Sequence, residues 1–179
     1  PLTLLDRILP VYEEILRRLS KQGAQWVQMD EPVFALDLGE GQRRALNSAY
    51  ARLAKISGIK IMVASYFGGL GDHLETFVRL PVAGFHVDAV RAPQEVEAVA
   101  RGIGKDRILS VGVVDGRNIW KNDFTSSLQV LNKARAIVGD EYLIVAASCS
   151  LIHVPLSLKQ EKGLDAELKT WMAFAGEKL

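Results

Sequence analysis

Apolar positions along this chain switch repeatedly between helical spacing and short continuous runs. In the first stretch Leu5, Ile8, Leu9, Tyr12, Ile15, Leu16 and Leu19 recur at helical intervals. Thr3, three residues before Asp6, reads as the N-cap, and Pro10 predicts a kink or a second start. Gly23 ends that helix. Trp26 to Met29 is then a short buried strand, closed by Asp30-Glu31-Pro32. Leu46, Tyr50, Leu53 and Ala54 predict the next helix, stopping at Ser57-Gly58.

The alternation continues to the end of the chain. Strands are expected over 59–64, 84–90, 108–114 and 142–147. The helices between them carry Leu74, Phe77 and Val78, then Val96, Val99 and Ala100, then Leu128, Leu131, Ala134 and Val138. Pro93 is placed to open the second of these. Asp165 should cap a last helix with the stripe Leu168, Trp171, Met172, Ala175 and Leu179. Most strands are continuous apolar runs, as expected of parallel strands covered on both faces. No polar linker divides the chain, so residues 1–179 read as a single domain of the α/β class.

An open doubly wound sheet would place a glycine-rich fingerprint after the first strand, where this chain has Asp30-Glu31-Pro32. All five strands instead end in loops with polar or special residues, as the mouth of a (β/α) barrel requires. A closed barrel takes eight units and about 250 residues. Five strand-helix units therefore predict a partial TIM-type barrel, a fragment of an eight-unit one, and the start at Pro1 without methionine fits an excised piece. The strands around Val27 and Ile144 would be its open edges, and exposed edges invite self-association through a dimer, a swap or helices folded over them.

Composition narrows the chemistry. With 22 Lys+Arg against 21 Asp+Glu there is no basic field for nucleic acid. No apolar run approaches the roughly 20 residues that span a bilayer. A lone cysteine, Cys149, excludes an intrachain disulfide and fits a reducing cytoplasm.

The candidate site residues sit at the strand ends. Asp30 and Glu31 could bind an amine, orient a base or hold a metal, or form a strand-terminating turn in which one carboxylate caps a backbone N–H. The glycine-rich loop 65–72 could cradle an anion, or simply turn with close backbone approach, the simpler reading. Asp88 and the run Asp115-Gly116-Arg117-Asn118 point at the same mouth. Arg117 could grip an anionic group by a bidentate fork, or neutralise Asp88 or Asp30 in an internal network, the favoured reading. Cys149 and His153 have too few companions for a zinc site and read as a buried thiol and a hydrogen-bonding histidine. His86 is placed on the strand face opposite Asp88, and His73 in solvent near a helix start.

Four loop motifs, taken in order, resemble one family: Trp26-Val27-Gln28-Met29-Asp30-Glu31-Pro32, Ser65 to Asp72, Val113 to Asn118, and Ser148 to Pro155, with the closing stretch Leu164 to Ala175. They are similar to cobalamin-independent methionine synthase, in the later part of the first of its two duplicated barrels. The resemblance implies methyl transfer from a polyglutamylated 5-methyltetrahydrofolate to homocysteine, with zinc activating the thiol. It places the zinc ligands, a His-x-Cys pair, a Glu and a Cys, in the C-terminal barrel. By the duplication, Ser65 and Phe67 would stand at the His-x-Cys pair, Asp88 near the Glu and Cys149 at the last Cys. This implies a catalytically silent copy: no catalytic or metal residue, no cofactor of its own, inactive alone, packed against the C-terminal catalytic barrel with a folate polyglutamate in the cleft. Arg117 or Arg91 could touch that tail. The alternatives are a stand-alone barrel module binding small anions or pterins, and an independent enzyme of a related barrel, which the missing strands weaken.

Overall fold

The computed structural model describes residues 2–179. Five strands, β1 (Trp26–Asp30), β2 (Lys60–Ser65), β3 (Gly84–Asp88), β4 (Ile108–Val114) and β5 (Leu143–Ala147), form one parallel sheet in the order β1-β2-β3-β4-β5. Between and before them run α1 (Leu5–Lys21), α2 (Glu40–Leu53), α3 (Leu74–Val78), α4 (Val96–Ile103) and α5 (Phe124–Val138). Each strand therefore pairs with its neighbour in sequence, the order of a barrel wall, and the sheet is not closed: β1 and β5 are its edges.

Alternation along the strands separates the two faces. Ile61 and Val63, Phe85 and Val87, and Leu109, Val111 and Val113 pack with Leu9, Leu16, Tyr50, Leu53, Val99 and Leu131 of the helices in one core. Phe34, Phe77 and Phe85 form an edge-to-face ladder within it, with centroids 5.0 and 5.2 Å apart. Such pairs add about 0.5–1.5 kcal/mol each beyond the area they bury. The opposite, inner face carries Gln28, Lys60, His86, Asp88 and Ser110. Cover on both faces holds for the central β3, buried along its whole length. It fails at the edges, where Gln28 and Asp30 on β1 and Ile144 and Val145 on β5 are exposed.

Three local expectations are corrected. Thr3 falls in a single 3-10 turn, Leu2–Leu4, and α1 follows with no side-chain cap, because Leu4 is already helical and leaves no open N-terminus. α1 runs on through Pro10 without a second start. The last predicted helix splits into α6 (Ala166–Trp171) and α7 (Ala175–Lys178). Between them Met172 bridges antiparallel to Trp120, with Lys121 N donating to the Trp171 carbonyl (2.9 Å) and Ala173 N to that of Ile119 (2.8 Å). Burial of Met172, Ala173 and Phe174 holds that extended link. Asp165 does cap α6, accepting from Glu167 N and Leu168 N, and Pro93 opens the turn into α4.

Candidate functional site at the barrel mouth

All five strand ends contribute to one polar and aromatic cluster. Asp88, at the end of β3, is buried, and its carboxylate is fully engaged by backbone: Oδ2 accepts from Phe67 N at 3.0 Å, Oδ1 from Val90 N at 3.1 Å and Arg91 N at 2.9 Å. These bonds end β3 two residues sooner than its apolar run predicts. They also hold the β2 loop, where Phe67 has a φ of +77°. A left-handed backbone costs a non-glycine residue about 1–2 kcal/mol. The charge-assisted bond from the Phe67 N–H to Asp88 works against that cost.

The rest of the β2 loop turns on Glu95, whose carboxylate accepts from Leu70 N (2.6 Å) and Gly71 N (3.0 Å). A Cβ on Gly69 would lie 2.7 Å from Glu95 Oε1, so the glycine serves close backbone approach. Three of the loop's N–H groups, those of Phe67, Leu70 and Gly71, are thus taken by protein carboxylates. The sequence carried no signal that Glu95 would do this.

From β4, Asp115 Oδ1 accepts from Arg117 N (2.7 Å) and Oδ2 from Asn118 Nδ2 (2.9 Å). Lys178 clamps the same turn through bonds from Nζ to Asp115 O (2.7 Å), Asn118 Oδ1 (2.9 Å) and Trp120 O (3.1 Å). Gly116 lies flat against the β5 loop, where a Cβ would meet Cys149 O at 2.8 Å and Sγ at 2.9 Å. The Arg117 guanidinium lies over the Phe67 ring, 4.7 Å from its centroid, and forms no ion pair among the described residues. The expected network with Asp88 or Asp30 is therefore absent, because Asp88 is saturated by backbone donors and Asp30 accepts from Gln28 Nε2 (2.7 Å).

His153, from the β5 loop, is exposed and packs edge-to-face on Phe67 at 5.5 Å, and Tyr66 does the same at 4.7 Å. Burial and the neighbouring Asp30 carboxylate push the Tyr66 phenol up. Cys149 is buried, and burial raises its thiol pKa. That opposes the thiolate a metal would need. Among the described residues no three His, Cys, Asp or Glu side chains gather to hold a metal ion, so the mouth does not fit a zinc centre.

Glu31 turns away from this cluster. Tyr50 Oη donates to its Oε1 at 2.7 Å and Gln28 Nε2 to Asp30, and among the described residues neither carboxylate caps a backbone N–H as the simple turn would have it. Burial raises the Glu31 carboxyl pKa, with the Tyr50 bond opposing. Glu31 lines a groove of about 580 Å³ with Leu5, Ile8, Tyr12, Leu46 and Tyr50, between α1 and α2.

Two histidines are corrected. His86 and Asp88, two residues apart on β3, share the inner face, since strand side chains repeat every second residue. His86 is buried, with Nδ1 2.9 Å from Ser110 Oγ and Nε2 3.3 Å from the Ser148 carbonyl, and burial lowers its pKa. His73 is buried rather than solvated, its Nε2 accepting from Leu38 N at 3.1 Å.

Residues 1–139 match the family model described as the cobalamin-independent synthase, N-terminal domain. The 5-methyltetrahydropteroyltriglutamate–homocysteine methyltransferase of Mesorhizobium japonicum is 50% identical over 182 residues, covering 99% of this chain and 23% of that protein. The protein of the same name from Parvibaculum lavamentivorans is 49% identical over 181 residues, covering 100% and 24%. This chain thus spans about a quarter of the length of the curated relatives it matches. Among solved structures, a B12-independent methionine synthase from Shewanella sp. W3-18-1, in complex with selenomethionine, superposes with a TM-score of 0.58 at 15% identity, covering 85% of this chain and 50% of that one. A methyltransferase from Methanosarcina mazei gives 0.62 at 15%, covering 82% and 42%. At such identities these two likenesses speak for the fold. Among the described residues no helix is long and apolar enough to cross a membrane.

Proposed function

The chain belongs to the family of the cobalamin-independent synthase N-terminal domain, and on that premise we propose that it is a non-catalytic barrel portion of a methyltransferase. The reaction of the whole protein is transfer of the methyl group of 5-methyltetrahydropteroyltriglutamate to homocysteine, giving methionine. Residues 1–179 act as one domain, the later part of the first barrel, in a cytoplasmic protein. Zinc belongs to another part of that protein, where a thiolate of homocysteine can reach it. The open edges β1 and β5 are closed by strands from elsewhere in the same protein, and the relatives' greater length supports this.

The observation that carries the silent role is the state of the mouth. Its buried acid, Asp88, is committed to three backbone N–H groups, and its thiol, Cys149, is buried with a raised pKa. Neither group is free to act as base, nucleophile or ligand.

The test is Cys149→Ala in the complete encoded protein, with zinc content and methyl transfer to homocysteine measured together. Zinc stoichiometry unchanged and kcat within about twofold of wild type is the expected result, since removing a group outside the chemistry does not alter transition-state binding. Loss of zinc, or a fall in kcat beyond about tenfold with the fold intact, overturns the silent role.

A further inference from the structure

Ser65, the last residue of β2, is a buried polar side chain with no part in the contacts that hold the following loop. It follows Ile61 and Val63 on the helix-facing side of the strand and is 2% exposed. Among the described residues no protein group reaches its Oγ with a hydrogen bond. A hydroxyl always carries a donor, and a buried donor left unmade is destabilising. The side chain lines a small pocket under the β2 loop, walled also by Leu70, Val87, Asp88, Ala92 and Glu95. About 10 Å³ of that pocket is open to the centre of a water molecule, which is room for one. Apolar voids stay dry, but this one has a hydroxyl and two carboxylates in its wall.

We propose that Ser65 and Glu95 hold one internal water molecule beneath the β2 loop. Each Glu95 oxygen takes one N–H, from Leu70 at 2.6 Å and from Gly71 at 3.0 Å, and a carboxylate oxygen accepts a second donor. The water accepts from the Ser65 O–H and donates to Glu95. The negative charge of Asp88 in the same wall turns the water's hydrogens toward the acids and its oxygen toward Ser65. A divalent cation is the rival occupant of a pocket with two acids, and it fits poorly. Both carboxylates already face backbone N–H donors, and the wall offers too few oxygens for the six or so that such an ion gathers. The water joins the end of β2 to the turn that opens α4, so the loop carrying Phe67 is held from below as well as by Asp88. The site stands apart from the function proposed above, since it needs only β2, its loop and that turn.

The experiment is a high-resolution crystal structure of the complete encoded protein, wild type and Ser65→Val, with hydrogen exchange of the backbone amides of residues 66–71 followed by mass spectrometry. The wild type is expected to show one solvent peak between Ser65 and Glu95, at hydrogen-bonding distances of about 2.7–3.0 Å. Ser65→Val fills the space with methyl groups and should lose the peak, and exchange in the loop should rise severalfold. Ser65→Ala keeps the space and removes the donor, so exchange should rise there too, by a smaller factor. A dry pocket gives the opposite sign, because removing an unmade hydroxyl relieves its cost and leaves exchange unchanged or slower. No peak in the wild type overturns the proposal. So does a peak with contacts of about 2.4 Å, the mark of a metal cation, or loop exchange no faster in Ser65→Ala than in wild type.

Discussion

Asp88 Oδ2 accepts the backbone N–H of Phe67 at 3.0 Å, and through that bond a buried acid on β3 sets the backbone of the loop after β2. The same carboxylate ends its own strand by binding Val90 N and Arg91 N. One side chain thus fixes two of the five mouth loops. Replacing it by alanine leaves three donors to find water or go unpaired. Asp88→Ala should destabilise the protein by about 2–4 kcal/mol, from bonds to a charged acceptor worth roughly 1.5–3 kcal/mol each, less what exposed loop donors recover from solvent. Asp88→Asn should cost less, because one oxygen still serves two donors. Urea unfolding of the two variants checks the order, and an alanine variant as stable as wild type would contradict it.

His86 should make stability depend on pH. Burial lowers its pKa from the ordinary value of 6.5, so the folded state holds the neutral ring and the unfolded state takes up the proton first. The stabilisation is complete above about pH 6.5 and is lost as pH falls from there through the folded-state pKa. In His86→Gln that slope should vanish, although the variant is weaker at every pH for want of the paired contacts to Ser110 and Ser148. Denaturation midpoints between pH 4.5 and 8 provide the measurement, read as the difference between the two proteins.

Glu31 acts with the opposite sign. Its carboxyl pKa is raised from 4.5 by burial, so the folded state retains a proton that the unfolded state has released. Stability is therefore lost as pH rises from about 4.5 through the raised value, and is flat above it. Glu31→Gln keeps an acceptor for Tyr50 and removes the charge. The variant should gain on wild type as pH rises through that window and keep a constant lead at neutral pH. A lead that is largest in acid would refute the assignment.

The strand order was readable because each βα unit repeats the same switch of period. The span 108–114 coincides with β4, since its seven residues hold no charge or proline and both flanks are polar. The mouth was legible only as a list of residues. Asp30, Asp88, Asp115, Arg117, Asn118, Cys149 and His153 do end up at the strand ends, but which of them touch depends on contacts between separate loops. Arg117 on Phe67 joins residues with no shared local period, and Glu95 reaches Leu70 across a strand and a turn. His73 is buried because the N–H of Leu38 needs an acceptor, a demand invisible near residue 73 itself. The α1 stripe was legible as a helix but not as a buried face: it is wider than the surface available to it, so Leu9 and Leu16 are buried while Ile8 and Ile15 stay exposed.

Gly116 gives a steric test. A methyl group there would press on both the carbonyl oxygen and the sulfur of Cys149, at 2.8 and 2.9 Å. Gly116→Ala should destabilise by about 1–3 kcal/mol, the usual range for overpacking a tight site. Cys149→Ala in the same chain should recover only part of that, because the backbone oxygen remains. A double-mutant cycle by thermal unfolding separates the two contributions, and full recovery would place the clash on sulfur alone.

Lys178 bonds to residues about sixty positions earlier, whereas every strand pairs with its immediate predecessor. The two parts of the molecule therefore mature on different schedules during synthesis. The sheet can be laid down strand by strand as the chain leaves the ribosome, each new β-strand finding its partner already in place. The turn that carries Arg117 receives its ammonium clamp only after residue 178 has emerged, when all five strands have been made. A nascent chain stalled after β5 would hold a formed wall and an unfinished mouth.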